Sequence, residues 1–395
     1  MTSPLPPTPR PGRWRVLAAF VFVALVSQLL WLNFAPLLIE VQRDYQVDET
    51  TASLLILVFP LLYCLLSTHS GRLIDRLGYK RVVGIGALVG AFGSLIRLDT
   101  AHFGSLLAGQ IVIACAQPYV VNGISKLVAD WFEPDEGAMA TGLGTVGMFL
   151  GMAVGMATTP PLYTELGWRG AMAVNSAVAF AAAGAWLVFA AETGAAAAEN
   201  PSPLRTLLRN RTLMLLTALA AGGLGFFNGL TTWLEQLVAP RGLDAAAAGL
   251  LGAAIIVGGI VGAIVVPPIA DKLRMRKLPL LLCAVGAGAA YAAMALASGS
   301  QGLFITGALL GMTFMPAFAL LLTMTGEAVA PRDNGAATAL VMLAGNGGGV
   351  VVIVAMAVLD DWQGMAPWVL LGTIVAITIG CAVALPADVR AQSPR

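Results

Sequence analysis

The chain has 395 residues, 58% of them hydrophobic and only 11% charged, with a mean hydropathy of +0.84 and a formal net charge of +1. A soluble domain carries about 25% charged residues, so a water-soluble globule is excluded, and the near-zero net charge offers no basic surface for nucleic acid. The four cysteines (Cys64, Cys115, Cys283, Cys381) lie inside apolar runs without CxxC spacing, and the two histidines, His69 and His102, stand at run edges; no disulfide framework, metal site or haem ligand set can be assembled, and no cofactor is expected.

A membrane-spanning helix needs about 20 mostly apolar residues. By that measure there are twelve spans. Residues 1–14 are a Pro-rich polar stretch running straight into a full-length span, which reads as a cytoplasmic tail and not a cleavable leader. Spans at 15–40, 50–70, 82–98, 104–130, 138–162 and 169–191 make an N-terminal six-helix bundle, 15–191. The longest polar break, 192–211, is Ala-rich and then Pro-Ser-rich; it reads as a cytoplasmic linker with an amphipathic helix around Leu204–Arg209. Spans at 212–237, 247–269, 278–297, 302–326, 336–358 and 367–387 make a C-terminal bundle, 212–387, before a second tail, 388–395.

Basic residues set the orientation. One face carries Arg43, Arg97, Arg169 and Arg241, and Lys126 lies within a span; every other Lys and Arg falls on the face of the termini and the linker. That bias places both termini in the cytoplasm of a multi-pass plasma (inner) membrane protein. Gly is frequent within the spans, as at Gly142, Gly144, Gly147, Gly151 and Gly155 in the fifth, where small residues at three- and four-residue spacing let helices approach closely.

Between spans two and three lies a dense polar knot, Gly71-Arg72-Leu73-Ile74-Asp75-Arg76-Leu77-Gly78-Tyr79-Lys80-Arg81, and a worn copy, with Asp271 in place of Asp75, follows at Pro267–Lys277. A second pair, Pro134–Thr141 and Pro331–Thr338, has nearly the same offset of about 196 residues, which marks a duplicated chain. Twelve spans, a duplicated half and this motif together resemble the major facilitator superfamily, matching its loop motif at Gly71, Leu73, Asp75, Arg76, Gly78, Lys80 and Arg81. The resemblance implies an all-α membrane protein of twelve transmembrane helices in two pseudo-symmetric six-helix bundles, monomeric by family default, rocking about a central cavity. The motif would act as a cytoplasmic latch: Asp75 caps a helix end or pairs with a base, and Gly71 and Gly78 permit close turns.

Ionisable groups inside a bilayer are costly and therefore functional candidates. Glu40, Asp130 and Glu327 are at span ends; Glu235 lies one to two turns inside the outer end of span seven, and Lys126 can snorkel to the cytoplasmic surface. No Arg or Lys stands at a membrane midpoint, which argues against a small-anion porter, and Glu235 is the one candidate proton carrier. Mid-depth polar and aromatic residues remain as the site: Gln28 and Trp31 in span one, Gln117 before the helix-bending Pro118 and then Asn122 in span four, and Phe227, Asn228 in span seven.

Ala116-Gln117-Pro118-Tyr119-Val120-Val121-Asn122 through Trp131-Phe132, Ala140-Thr141-Gly142-Leu143-Gly144 through Pro160-Pro161, and Arg13-Trp14-Arg15-Val16-Leu17 with Trp31 resemble the fourth, fifth and first spans of the feline leukaemia virus subgroup C receptor family. That family includes choline and ethanolamine transporters, and haem export has been ascribed to some members. The resemblance implies a cation–π face at Trp31 and a cavity Gln at Gln117. Two positions depart from it: Asn228 stands where an aromatic hydroxyl is expected, and Met148-Phe149 where a polar Asn-Gln pair is expected. Both departures turn the expectation from choline toward a more apolar, neutral or cationic solute.

The expected function is secondary transport of a small organic amine or amphipathic cation by alternating access, the solute held by Trp31, Gln117 and Asn228 with Glu235 supplying negative charge near the outer exit. The alternatives are proton-coupled efflux of apolar compounds, with protons as a partner of Glu235, and a receptor that binds without translocating. An enzyme is not expected, since no nucleophile–base set can be assembled within the membrane.

Overall fold

A computed structural model describes residues 12–132, 134–191, 204–273, 275–330, 333–359 and 364–386; most of both expected tails and of the expected linker lie outside these. The amino-terminal bundle comprises α1 (Arg13–Leu32), a 3₁₀ turn Ala35–Leu37 leading into α2 (Leu38–Tyr45), α3 (Glu49–Leu77), α4 (Tyr79–Ile96), α5 (Phe103–Val121), α6 (Gly123–Trp131) and α7 (Pro134–Phe189). The linker carries the short helix α8 (Leu204–Leu208), where an amphipathic helix is expected. The second bundle comprises α9 (Arg211–Thr232), α10 (Leu234–Val238), α11 (Ala245–Lys272), α12 (Lys277–Leu296), α13 (Ser300–Glu327), α14 (Asn334–Ala357) and α15 (Ala366–Ala384).

Among the described residues, 11 helical segments are long and apolar enough to cross a membrane, and one of them, Met139–Phe189, has 51 residues. A helix of that length would run about 75 Å, far more than the ~30 Å of hydrocarbon. The chain turns back within it at Gly167, whose φ of 67° and ψ of 179° are open to glycine and strained for other residues. Spans five and six are thus two crossings, which brings the count among the described residues to twelve.

The polar knot after span two is not a loop. Helix α3 continues through it to Leu77, and the turn is confined to Gly78, with φ 81°. Gly71 sits inside that helix with open space where a side chain would go, so the close turn expected of it does not exist. Hydropathy marks where lipid ends, while backbone hydrogen bonding carries the helix beyond. The guanidinium groups of Arg76 and Arg81 are exposed; the side chains of Asp75 and Asp271 lie outside what is described.

Glycines set the closest helix contacts. On α7, Gly147, Gly151 and Gly155 lie against the carbonyls of Val21, Leu25 and Leu29 on α1, one turn apart on each helix; a Cβ at Gly151 would fall 1.9 Å from the Leu25 oxygen. The contact repeats in the second bundle at the duplication offset, where a Cβ on Gly348 of α14 would fall 2.1 Å from the Ala221 oxygen of α9. One turn on, the roles are exchanged: Val352 of α14 faces Gly225 and Gly229 of α9. The breaks recur as well. Span one is interrupted before α2, where Leu37 has φ −133°, and span seven before α10, where Trp233 has φ −102°.

The bundles meet along α7 with α11 and along α3 with α14. A Cβ on Gly249 would come within 2.2 Å of the Met156 carbonyl, and Thr50 Oγ1 donates to the Ala357 carbonyl at 3.3 Å. Cys64 Sγ approaches the Leu343 carbonyl at 3.5 Å at mid-depth. These contacts run from mid-depth to the face away from the linker. On the linker face, Arg13 pairs with Glu136 at 2.7 Å inside one bundle and Arg276 with Glu327 at 3.2 Å inside the other.

Candidate functional site

The broken fourth span places Gln117 and Asn122 differently. Gln117, on α5, turns to α1 and donates from Nε2 to Gln28 Oε1 at 3.4 Å. Trp31, one turn along α1 from Gln28, donates from Nε1 to the Ile56 carbonyl of α3 at 3.2 Å and stacks on Phe59, with ring centroids 5.9 Å apart at 22°. Three predicted residues therefore share one uncharged polar-aromatic cluster. It is closed in this state: Gln28, Trp31 and Gln117 are only 4%, 7% and 4% exposed.

Asn122 belongs to another group. It stands at the junction of α5 and α6, where its N–H bonds back to the Pro118 carbonyl. Its Oδ1 accepts from the Tyr63 hydroxyl at 2.7 Å, and its Nδ2 donates to Ser70 Oγ at 2.7 Å and Ser67 Oγ at 3.1 Å. A side chain with three neutral partners ties the break in span four to α3. Lys126 pairs within its own helix, its Nζ 3.2 Å from Asp130 Oδ1 one turn along α6.

In the second bundle Phe227 stacks on Phe314, with centroids 5.4 Å apart and planes within 7°. Asn228 is buried against the bare backbone of Gly349, where a Cβ would fall 2.3 Å from Asn228 Nδ2. Among the described residues no hydrogen bond joins Asn228 to Gln28, Trp31 or Gln117; the two bundles hold their parts of the predicted site separately.

Glu235 is at the seam and not in that cluster. It opens α10 and is 2% exposed. Its Oε2 accepts from the Ile39 N–H of α2 at 2.9 Å, across the boundary between the bundles.

Sequence reasoning missed Arg97. It reads there as one more basic residue on the outer face, but its side chain turns inward and is fully buried. Nη1 donates to Gln110 Oε1 at 3.0 Å, and Gln110 Nε2 donates in turn to the Leu55 and Leu30 carbonyls, tying α4, α5, α3 and α1. The guanidinium lies 5.8 Å from the Phe34 ring centroid, while Nε and Nη2 are buried without a partner. The available signal was Gln110 itself, a second mid-span amide with no other charge to answer. Among the described residues no group of His, Cys, Asp and Glu could hold a metal ion.

A family model described as Major Facilitator Superfamily matches residues 20–353. The chain is 25% identical over 299 residues to Solute carrier family 49 member A3 of Xenopus tropicalis, covering 69% of this chain and 61% of that protein. It is 23% identical over 427 residues to Choline/ethanolamine transporter flvcr2b of Danio rerio, covering 96% of this chain and 85% of that one. Of the first curated relatives it matches, the chain spans between 50% and 62% of the length. Among solved structures, a bacterial homologue of the human lysosomal transporter Spinster, described as inward-facing and unoccupied, superposes with a TM-score of 0.71 at 14% identity over 97% of both chains.

Proposed function

This chain belongs to the Major Facilitator Superfamily, and from that premise we propose that it carries a small organic amine or amphipathic cation across the membrane by alternating access. The supporting observation is the buried cluster of Gln28, Gln117 and Trp31, which offers amide dipoles and an indole ring without a competing charge. The Trp31 N–H is already satisfied and Phe59 backs one ring face, so a cation would use the other face, an attraction of about 2 kcal/mol when desolvated. Phe227 and Asn228 would contribute from the opposite bundle when the two halves close on the solute. Two relatives whose names specify choline and ethanolamine support the class; the departures at Asn228 and Met148-Phe149 favour a solute less polar than choline.

The asymmetry of basic residues supports a cytoplasmic placement of the termini, and the seam contacts then close the outer face. Glu235 is committed to the seam in this state, so the amine reading rests on the first-bundle cluster. A thermal-shift screen of the detergent-purified protein against quaternary and primary amines, porphyrins, small organic anions and apolar drugs tests it. The expected result is a selective shift with amines that disappears in Trp31→Ala. A shift with anions or porphyrins alone overturns the substrate class.

A further inference from the structure

We propose that the second bundle holds the apolar tail of the carried cation, in a pocket between α9, α12, α13 and α15, so that the solute is an amine bearing one alkyl chain. This rests on the amine reading above for the head group and adds a place for the rest of the molecule. A cavity of about 550 Å³ lies between those four helices, a size that encloses most of a small ligand. Leu219 and Phe226 of α9, Leu280 of α12, Phe314 and Phe318 of α13 and Ile379 of α15 stand in its walls. The walls follow two turns of α9, α12 and α13, about 10 Å, which gives the space the proportions of a chain. Its one polar side chain is Thr378, whose hydroxyl donates to the Ile374 carbonyl of its own helix at 2.7 Å. Water finds no open side-chain partner in such a lining, and an apolar guest needs none.

Phe314 joins this cavity to the candidate site. It is a wall of the cavity, and its ring stacks on Phe227, the expected second-bundle contact, with centroids 5.4 Å apart. Gly223, also in the wall, shows that the room is not a by-product of helix packing. A Cβ at Gly222 would fall 2.2 Å from Thr378 Oγ1, and one at Gly229 would fall 2.5 Å from Val352 Cγ1, so a neighbour forces both glycines. At Gly223 a Cβ would meet Phe314 Cε2 alone among the described residues, at an ordinary 3.8 Å. Glycine inside a helix costs stability, and at this position no helix contact explains it. The first bundle has the equivalent void. Val23, Ser27 and Leu30 stand at the duplication offset from Leu219, Gly223 and Phe226, and Ala179, Ala182 and Ala183 stand at that offset from Val375, Thr378 and Ile379. That void is smaller, about 320 Å³, with a serine and no aromatic ring in its wall. Three phenylalanines line the second-bundle cavity alone, opposite the bundle whose Trp31 and two amides suit the charged head.

The test is a series of n-alkyltrimethylammonium ions, methyl to octyl, titrated calorimetrically into the protein in lipid nanodiscs and corrected for uptake by empty nanodiscs. Kd is expected to fall about fourfold for each methylene that enters the cavity, and at least a hundredfold over the series. Gly223→Leu and Ala287→Leu each put a side chain into the void and are expected to shrink that span to less than tenfold. An octyl ammonium with a terminal diazirine, photolysed on the unaltered protein, is expected to mark Leu280, Phe318 or Thr378. The label needs no substitution and decides the matter where a filled variant does not fold. Labels confined to Leu282, Val285 and Ile377, exposed on α12 and α15, overturn the pocket, because the tail then lies in lipid. So does a span that both filled variants keep in full, or tetramethylammonium binding with no dependence on chain length; the amine reading survives either. Octyl sulfonate and octanol are the remaining arms. An equal chain-length response with all three heads, abolished in the filled variants, keeps the pocket and overturns the amine reading. Binding of no member of any series overturns both.

Discussion

The carboxylate of Glu235 accepts the N–H of Ile39 at 2.9 Å, so a residue of the second bundle caps a helix of the first. The two residues are separated by the same interval as the duplicated motifs, and each lies just beyond the break in its own span, before α2 in span one and before α10 in span seven. The contact therefore joins equivalent points of the two halves, where the pseudo-twofold relation brings span ends together.

Removing the indole at position 31 should weaken amine binding selectively. For Trp31→Ala the loss of about 2 kcal/mol corresponds to roughly a 30-fold rise in Kd, read by calorimetric titration with a quaternary amine. Trp31→Phe should recover part of that affinity, since a benzene ring still presents a face to the cation. Equal affinities in all three proteins would place the amine elsewhere.

Two glycine substitutions should separate motion from stability. Gly249→Ala adds a methyl group 2.2 Å from the Met156 carbonyl across the seam, whereas Gly311→Ala adds one 1.7 Å from the Ile255 carbonyl within the second bundle. Overpacking costs about 1–3 kcal/mol. In Gly249→Ala that strain is relieved by opening the outer face, so outer-side thiol labelling should speed up at least fivefold with little change in Tm. In Gly311→Ala it has no such relief, and Tm should fall.

Arg97 should be dispensable in a way that Gln110 is not. A buried guanidinium with two N–H positions unpartnered carries an uncompensated desolvation cost. Arg97→Met keeps the stem packing and should leave Tm unchanged or raise it. Gln110→Leu strips the charge of its one acceptor and frees two backbone carbonyls, a loss of about 1–3 kcal/mol that thermal unfolding should detect.

The start of α3 should respond to acid. Asp48 caps that helix by accepting the Thr51 N–H at 2.7 Å, and the Thr51 side chain together with that N–H holds its carboxyl below the ordinary value. A depressed value means that the stabilisation is complete above about pH 3.9, the unfolded Asp value, and fades as pH falls through the folded one. Amide exchange at Thr51 and Ala52, corrected for intrinsic rate, should rise on acidification toward pH 2. Asp48→Asn should flatten that profile.

Hydropathy was enough to find the spans, because each crossing needs an unbroken apolar run, and the repeat was legible because both polar knots survive in the chain. Gln28 with Trp31 could be paired from helical spacing alone, and Glu235 stood out as an acid inside a span. Other features depend on pairings that no single stretch records. Arg97 closes a span and reads as a surface residue; only the approach of Gln110 from the next helix shows that it turns inward. That Glu235 caps α2 is hidden because Ile39 lies in the other half of the chain. Gly71 and Gly78 are alike on paper, and only the path of α3 shows that one is mid-helix and the other a turn.

The row of glycines that seats α7 against α1 also sets a timetable for synthesis. Val21, Leu25 and Leu29 meet Gly147, Gly151 and Gly155, so the first helix enters the membrane well before its main partner exists. At a translation rate of about 5–20 residues per second, roughly 6–25 s separate the two. Through that interval three further helices are made while a face of α1 shaped for glycine waits among lipid tails. The amino-terminal bundle thus closes late, on the arrival of its fifth helix, and a ribosome stalled before Gly155 would leave four helices with no keystone.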